Sequence, residues 1–388
     1  MKLILIHVTG LPTEPLEQLD GRTLLEASRA DALDEIAGRG SCGTVSLLPE
    51  GAIAGAGAEL LGLLGYLDDG TEPPSLGALE ALGVGAPLYA RDAAFRVNLA
   101  SVDEAGVIGD TAGAGLPLED ALALMERVDE KLSTRCLRFY PGRHFAHVMV
   151  WTDGPADVRC VPAPLARGKR LEKVLPEGDG DGPLRQLIWD SVDLLDRHRI
   201  NHRRREEGLA PVNLLWPWAP GLAPQLRHFA LKTGLQAALL ASRLEVLGAA
   251  KAVGIPARQA PGSLAGGAAL LIEAAREDAL SCLHTDLADH FEHPQDPEAH
   301  VRAVTALDTQ LVAPVLEEVR TSAEAVRLLV LATWGEAAWA PRPPALWGAW
   351  PPLRAAPGID TFSEAALTEE GLEVAEASRL LREASSAA

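Results

Sequence analysis

The feature that most constrains the fold lies near the amino terminus, where a short apolar run passes through a turn into a helical pattern. Residues 4–8 form an apolar run of strand length, and the turn signal Thr9-Gly10-Leu11-Pro12 follows directly. Residues 23–37 then carry leucines and alanines at helical spacing, with acidic residues between them. A strand, a turn and a helix in this order predict an α/β fold.

The middle of the chain has a different pattern, which predicts a second, α+β domain. An amphipathic helix is expected over residues 117–132. The segment 176–183, PEGDGDGP, has no periodicity and is the best linker candidate. Short strands are predicted at residues 93–101, 106–109, 147–151 and, later, 328–332, and further helices at 184–207, 237–247, 301–321 and 364–383.

The acidic composition argues against a nucleic-acid partner. The chain of 388 residues has 35 basic and 54 acidic side chains, a formal charge of −19, and such a surface would not displace counterions from a phosphate backbone. No apolar run approaches the roughly 20 residues of a membrane span, and residues 1–8 lack a signal-peptide cleavage site. The four cysteines are widely spaced without a CxxC motif, which is typical of reduced thiols. We expect a cytoplasmic protein without a membrane partner.

Two motifs suggest anion binding, and each has a structural alternative. The loop GAIAGAGAE at residues 51–59 resembles a phosphate-binding loop but lacks the Lys-Ser/Thr pair and the G-x-G-x-x-G spacing. Close packing of small residues is the structural alternative, and the missing motif residues favour it. The basic cluster between Arg197 and Arg205 could hold a phosphorylated ligand, or it could be a solvated helix end that balances the helix dipole.

A third motif suggests a metal. Histidines and carboxylates are densest between His284 and His300, and Asp289 and His293 are four residues apart. If this segment is helical, both side chains lie on one face and suit a single divalent cation. Two ligands alone do not make a tight site, so the spacing leaves metal binding open.

Several segments, in order along the chain, resemble the archaeal-type cofactor-independent phosphoglycerate mutases of the alkaline phosphatase superfamily. These segments are EPLEQLDGRTLLEA at 14–27, LLGY at 63–66, AFRVNL at 94–99, HRIN at 198–201 with PVNLLWPW at 211–218, DHFEH at 289–293 and FSEA at 362–365. The resemblance implies an alkaline-phosphatase-like core with a mostly parallel central sheet flanked by helices. It places that core at residues 1–87 and 184–388, with a smaller α+β cap inserted at 88–183.

The resemblance also implies chemistry that uses two adjacent divalent metals and a serine that carries the phosphoryl group between hydroxyls of glycerate. The metals would lower the pKa of the nucleophile and neutralise the phosphoryl oxygens. The chain departs from this pattern at nearly every functional position. The family's first-strand Asp falls at Thr9, its nucleophilic Ser at Ala56 and the Asp after it at Gly57. Its late Asp-His pair falls near Thr333-Trp334, its Lys at Gln236 and its Pro-His-Asp segment around Pro164-Leu165.

Only Asp289 and His293 remain at ligand positions in this comparison. Beyond His300 the chain has no histidine, and its only Asp after Asp308 is Asp360. We therefore expect at most one divalent cation, Mn or Zn, where the family uses two. The segments that carry the resemblance and the basic cluster make Arg96, His198 and Asn201 candidates for ligand binding.

Three functions follow from these observations. The first is a mutase-like protein that has lost two-metal phosphoserine chemistry and binds or regulates without catalysis. The alternative is a metal-dependent mutase or phosphotransferase that uses a shifted set of residues: His7, Thr9, Glu59, Asp289, His293 and Glu336. A third is a sensor that holds a small molecule through Arg96 and the basic cluster. The partner would be a phosphorylated or carboxylated small molecule, or a protein.

Overall fold

The computed structural model of the chain describes residues 1–49, 55–68, 70–291, 296–335, 343–353 and 358–386. Residue contacts divide it into two units, Met1–Pro73 with Leu226–Ala388, and Pro74–Gln225. The predicted cap at 88–183 lies inside the second unit, which extends beyond it at both ends. The boundaries of the predicted cap domain, at residues 88 and 183, stay a prediction.

The described residues form twelve strands. They are β1 (Lys2–Thr9), β2 (Ser41–Val45), β3 (Ala93–Ala100), β4 (Leu137–Arg143), β5 (Ala146–Trp151), β6 (Leu214–Leu222), β7 (Ala237–Ala241), β8 (Ala257–Gln259), β9 (Leu280–Asp286), β10 (Val326–Thr333), β11 (Ala345–Trp350) and β12 (Leu372–Val374).

The α-helices of the described residues alternate with these strands. They are α1 (Leu24–Ala27), α2 (Asp31–Arg39), α3 (Ala56–Leu63), α4 (Leu76–Val84), α5 (Leu118–Leu132), α6 (Ala163–Ala166), α7 (Asp181–Asp196), α8 (Arg199–Glu206), α9 (Phe229–Thr233), α10 (Leu244–Ala252), α11 (Leu264–Glu277), α12 (Pro297–Leu307), α13 (Ala313–Thr321), α14 (Glu364–Glu369) and α15 (Ala377–Ser385). Short 3-10 helices span Glu17–Leu19, Gly113–Gly115, Leu171–Lys173 and Leu287–His290, and a π-helical turn spans Asp308–Val312.

The first unit is built on an eight-stranded sheet in the order β12-β2-β11-β10-β1-β9-β7-β8. All neighbouring pairs are parallel except those that β11 makes with β10 and β2. Apolar runs such as Ile4–Val8 are buried on both faces, as a parallel sheet covered by helices requires. The predicted mostly parallel α/β core is confirmed.

Side chains of β1 alternate between two helical layers. Ile4, Ile6 and Val8 pack in an apolar cluster with residues of α2, α11, α12 and α13. The intervening residues, from Leu3 to Thr9, face the opposite side of the sheet. Helices α3, α10 and α15 pack together on that side. This second face carries the candidate site, because its side chains become polar toward the carboxyl ends of the strands.

The second unit has a four-stranded antiparallel sheet in the order β4-β5-β3-β6. Helices α5 and α7 cover one face through a cluster that includes Phe95, Val97 and Leu124. Helix α4 packs on the other face, against β3, β5 and β6. The predicted amphipathic helix at 117–132 is confirmed as α5. The predicted linker at 176–183 lies within this unit, since Glu177 pairs with Arg159 and α7 begins at Asp181.

Two of the predicted helices contain a strand in the structure. The segment 237–247 is strand β7 followed by α10, and 364–383 is α14, β12 and α15. Short apolar runs such as residues 237–241 have no periodicity that separates a buried strand from a helix, so neighbouring strands decide the outcome. Here β9 and β8 pair with β7 on both sides.

Candidate functional site

The candidate site lies at the carboxyl ends of β1, β9 and β10. In this parallel register His7 is level with His284, and Thr9 is level with Thr333 and Asp286. One face of the sheet therefore changes from leucines at its amino end to histidines, hydroxyls and a carboxylate at its carboxyl end. Ligands of open α/β sheets bind at this edge. All five side chains are nevertheless buried, at 3% exposure or less.

Four of these side chains form one row of hydrogen bonds. Nε2 of His7 lies 3.1 Å from Oγ1 of Thr333, which lies 3.3 Å from Oγ1 of Thr9. Oγ1 of Thr9 lies 3.1 Å from Nε2 of His284. The two imidazole rings meet edge to face with centroids 4.9 Å apart. We call His7, Thr333, Thr9 and His284 the imidazole–hydroxyl row.

Glu59 lies at one end of the row, where an ionised carboxylate would favour one direction of proton donation. Its Oε2 lies 3.7 Å from Nε2 of His7, so a proton on Nε2 is attracted to the carboxylate and a lone pair there is repelled. With Nε2–H of His7 donating to Thr333, Thr333 donates to Thr9. Thr9 then donates to Nε2 of His284. In this arrangement the Thr9 hydroxyl proton points at an imidazole lone pair.

Burial keeps His284 in its neutral form. Its pKa lies well below the ordinary value because burial penalises the imidazolium, and the charges of His7 and Arg243 act in the same direction. Nδ1 of His284 and Nδ1 of His7 have no hydrogen-bond partner among the described residues. A neutral histidine can accept the Thr9 proton, but the surrounding protein disfavours the charged product.

The carboxylate of Asp286 is committed to an ion pair. Oδ2 of Asp286 accepts from Nε of Arg243 at 2.6 Å, and Nη2 of the same guanidinium also contacts it. Oδ1 accepts from the backbone N–H of Ala288 at 2.9 Å. Asp286 thus caps the 3-10 helix Leu287–His290 and neutralises an arginine at the start of α10.

The position that the resemblance gives to the nucleophile begins α3. Ala56 is the first residue of that helix, is buried, and has no hydroxyl or thiol. Gly57 follows it, and Glu59 of the same first turn reaches His7. Gln236 is exposed and precedes β7, at the amino edge of the sheet, so the fold does not bring it to Thr9.

The predicted metal pair is only half within the described residues. Asp289 is exposed in the 3-10 helix Leu287–His290, while His293, Glu292 and Glu336 lie outside the described residues. The helical premise for the pair does not hold, because the 3-10 helix ends at His290 and Phe291 has extended backbone angles. No group of three or more His, Cys, Asp or Glu side chains within the described ranges is arranged to hold a metal.

The predicted ligand residue Arg96 lies within the second unit, where it is 4% exposed. Its Nη1 donates to Oε1 of Glu80 at 3.0 Å and its Nε to Oδ1 of Asn98 at 3.1 Å. Its guanidinium also stacks over the rings of Trp218 and Phe145. These contacts give Arg96 a structural role within the second unit. Its assignment as a ligand-binding residue stays a prediction.

Asn201 and His198 differ in their surroundings. Asn201 is fully buried, donates to the carbonyls of Leu195 and Val212, and accepts from the N–H of Val212. It therefore holds the chain around α8 together. His198 is half-buried, precedes α8, and lines an open groove of the second unit. Of the three predicted ligand residues, His198 is the one that lines this groove.

The sequence reasoning missed how His284 pairs with Thr9, and it missed the ion pair of Asp286 with Arg243. A signal was present in the alternation His7-x-Thr9 and His284-x-Asp286, since alternate residues of a strand share a face. The pairing and register of these two strands cannot be predicted from the sequence of either strand alone.

Similarity to known proteins agrees with this fold. The profile of the 2,3-bisphosphoglycerate-independent phosphoglycerate mutases matches residues 37–201. A protein of that name from Methanosarcina mazei is 32% identical over 339 residues, covering 85% of each chain. The chain belongs to the cofactor-independent phosphoglycerate mutase family.

Solved structures show the same fold over the whole chain. A Pyrococcus horikoshii protein superposes with a TM-score of 0.72 at 21% identity, covering 100% of this chain and 98% of its own. The cofactor-independent phosphoglycerate mutase of Thermoplasma acidophilum gives a TM-score of 0.58 at 20% identity, covering 99% and 100%. No helix in the described part of the chain combines the length and apolar character needed to cross a bilayer. The predicted cytoplasmic location stays a prediction.

The described residues at this edge do not fit the pair of divalent metals that the mutase family resemblance implies. Hard or borderline dications in such sites take carboxylates and free imidazole nitrogens. Here Thr9 and Thr333 offer neutral hydroxyls, and both histidines turn Nε2 toward those hydroxyls. The carboxylate of Asp286 is neutralised by Arg243. Glu59 beside His7 is then the remaining carboxylate of the side chains described above, and one carboxylate does not compensate the charge of two dications.

Proposed function

We propose that this chain is a non-catalytic member of the mutase family, a binding or regulatory protein that no longer performs two-metal phosphoserine transfer. The observation that carries the proposal is the imidazole–hydroxyl row. It fills the carboxyl edge of β1 and β10 with neutral hydroxyls, at positions where the resemblance expects metal-binding carboxylates.

The chemistry of phosphoryl transfer supports this conclusion. A serine becomes nucleophilic when metals or a base lower the pKa of its hydroxyl, and the developing charge on phosphorus needs cations. Ala56 has no atom that can attack phosphorus. Thr9 and Thr333 cannot supply the negative charge that stabilises two adjacent dications. Each loss alone costs orders of magnitude in rate.

The replacements also keep the fold intact. Thr9, Thr333 and Ala56 are small, and the two hydroxyls hydrogen-bond to each other and to the Nε2 atoms of the two histidines. A buried polar layer is tolerated when its members hydrogen-bond among themselves. The role left to such a protein is binding, with a phosphorylated or carboxylated small molecule or another protein as the proposed partner.

The test is a coupled assay of the purified full chain with manganese and 3-phosphoglycerate, run beside the Methanosarcina mazei relative. We expect formation of 2-phosphoglycerate to be at least about a million-fold slower than with the relative, as for other nucleophile deletions. Metal analysis of the same preparation is expected to find less than one equivalent of manganese or zinc. Two bound equivalents, with turnover that the substitution Asp289→Asn abolishes, would overturn the proposal.

One observation favours a second function, phosphoryl transfer through Thr9. The row points the Thr9 hydroxyl at Nε2 of His284, the arrangement of a nucleophile and its base. After incubation with a phospho-donor, intact-mass analysis would then show one phosphoryl adduct in the natural chain and none in the near-isosteric variant Thr9→Val. We expect no adduct in either, because protonated His284 is disfavoured in its buried position.

A further inference from the structure

The second unit contains an open groove of about 700 Å³ between α5, α7 and the start of α8. This volume lies within the range of small-molecule sites. One wall carries Arg127, Arg197, His198 and Arg199. The groove consists only of residues of the second unit, so it is separate from the imidazole–hydroxyl row in composition and in chemistry.

Two guanidinium groups of this wall have no partner among the residues that the structure describes. Neither Arg197 nor Arg199 has a side-chain ion pair or hydrogen bond within the described ranges, and both are exposed. Nearby arginines differ, since Arg203 pairs with Asp120 and Arg205 with Asp196. Both guanidinium groups are therefore available to a ligand on the groove side.

The position of Arg199 opposes the helix dipole. It is the first residue of α8, a helix with no acidic residue in its first turn. The positive end of a helix favours anions and disfavours cations. Balancing the dipole explains Arg203, Arg204 and Arg205 in the last turn, but it does not explain Arg199. A residue that breaks a local rule without an internal gain marks a candidate functional position.

His198 adds a neutral donor to the same wall. Its Nδ1 accepts a hydrogen bond from the N–H of Ile200 at 3.3 Å. Its pKa is lowered, first by partial burial and then by the charges of Arg199 and Arg127, so the ring is neutral near pH 7. The single proton of the neutral ring therefore lies on Nε2 and can be donated to a ligand.

The remaining lining limits the kind of ligand. Leu132 and Leu194 give the groove an apolar portion, and Asp190 and Asp193 lie on α7. Asp190 already accepts from Nε2 of Gln186 at 2.7 Å. Arg127 forms an ion pair with Glu130. The anion is therefore received mainly by Arg197, Arg199 and His198, and the carboxylates favour hydroxyl groups over further negative charge elsewhere on the ligand.

We propose that this groove binds a small phosphorylated molecule, with its phosphate held by Arg197, Arg199 and the Nε2–H of His198. Planar guanidinium groups match the geometry of phosphate oxygens in paired hydrogen bonds. The site is independent of the proposed loss of mutase chemistry, because no residue of the imidazole–hydroxyl row takes part.

Calorimetric titration of the full chain with inorganic pyrophosphate tests the proposal. We expect saturable binding that weakens as sodium chloride is raised. The variant Arg197→Gln/Arg199→Gln should bind on the order of tenfold more weakly or worse. The matched control Arg135→Gln/Arg167→Gln removes the same charge from exposed positions outside the groove lining and should bind as the natural chain does.

A second measurement needs no variant. Arginines of the natural chain are modified with phenylglyoxal, with and without pyrophosphate, and the modified peptides are identified by mass spectrometry. We expect pyrophosphate to slow modification of Arg197 and Arg199 but not of Arg135 and Arg167. Absence of pyrophosphate binding, equal weakening in both double variants, or unprotected Arg197 and Arg199 would each overturn the proposal.

Discussion

At the scale of single residues, Arg96 shows how a family motif can preserve structure. The AFRVNL segment suggested a ligand-binding arginine, yet Arg96 is enclosed by Glu80, Asn98 and two aromatic rings. A buried charge whose partner is removed is far more costly than an exposed one. Removing its guanidinium alone is therefore expected to destabilise the second unit.

We expect Arg96→Ala to lower the free energy of unfolding by roughly 3–5 kcal/mol, because it leaves Glu80 buried beside a cavity. The variant Arg96→Met/Glu80→Leu, which removes both charges, should recover a large part of that loss. Arg91→Ala breaks the exposed pair with Asp153 and should cost about 1 kcal/mol or less. Urea denaturation followed by circular dichroism measures all three, and equal losses for Arg96→Ala and Arg91→Ala would contradict the assignment.

Single residues also show which parts of the candidate site could be predicted from the sequence and which could not. The resemblance placed Thr9, Ala56 and Thr333 at functional positions, and all three lie at the ends of the expected elements. It could not give the hydrogen bond from Thr9 to His284, because those residues are 275 positions apart and their contact depends on strand register. The partners of Arg243 and Arg96 were hidden for the same reason.

At the scale of elements, local pattern was sufficient where an element was long and amphipathic. Helix α5 was predicted to within one residue at its start, whereas the predicted helix at 184–207 is broken into α7 and α8 at Arg197 and His198. Some caps come from far along the chain. Asp308 accepts from the N–H groups of Ala32 and Leu33 at the start of α2, where Ala30 provides no side-chain cap. No local signal predicts such a contact.

The first turn of α8 carries a prediction of its own. Arg199→Gln should raise the free energy of unfolding by about 0.3–1 kcal/mol, since it removes a positive charge from the positive end of the helix. Arg203→Gln, in the last turn, should lower it by a similar amount because it loses both the favourable dipole and the pair with Asp120. Thermal unfolding at low salt measures both changes. A loss of stability in Arg199→Gln would contradict the prediction that the charge of Arg199 is unfavourable at the positive end of α8.

At the scale of the whole molecule, the fold holds histidines that it keeps neutral. Burial lowers the pKa of His147 to about 3, aided by the charge of Arg96, and burial likewise lowers the pKa of His284. The unfolded chain therefore binds more protons than the folded chain once the pH falls below about 6.5. Stability that is complete above this pH is lost as the pH falls toward 3.

For His147 the expected loss is on the order of 1 kcal/mol for each pH unit below 6.5. The variant His147→Gln should therefore show a shallower fall in unfolding free energy between pH 7 and pH 5 than the natural chain. The exposed His202 gives a matched control, and His202→Gln should leave the slope unchanged. Parallel slopes in urea titrations of the natural chain and His147→Gln would contradict the neutral state of His147.

The imidazole–hydroxyl row has a consequence for any variant with a carboxylate at position 9. Thr9 bridges Thr333 and His284, and a carboxylate in its place could only accept, so Thr333 would have to donate to it and the proton of His284 would have to move to Nε2. The same change would bury a negative charge in this layer. A carboxylate at position 9 therefore requires the tautomer of a residue on a neighbouring strand to change with it.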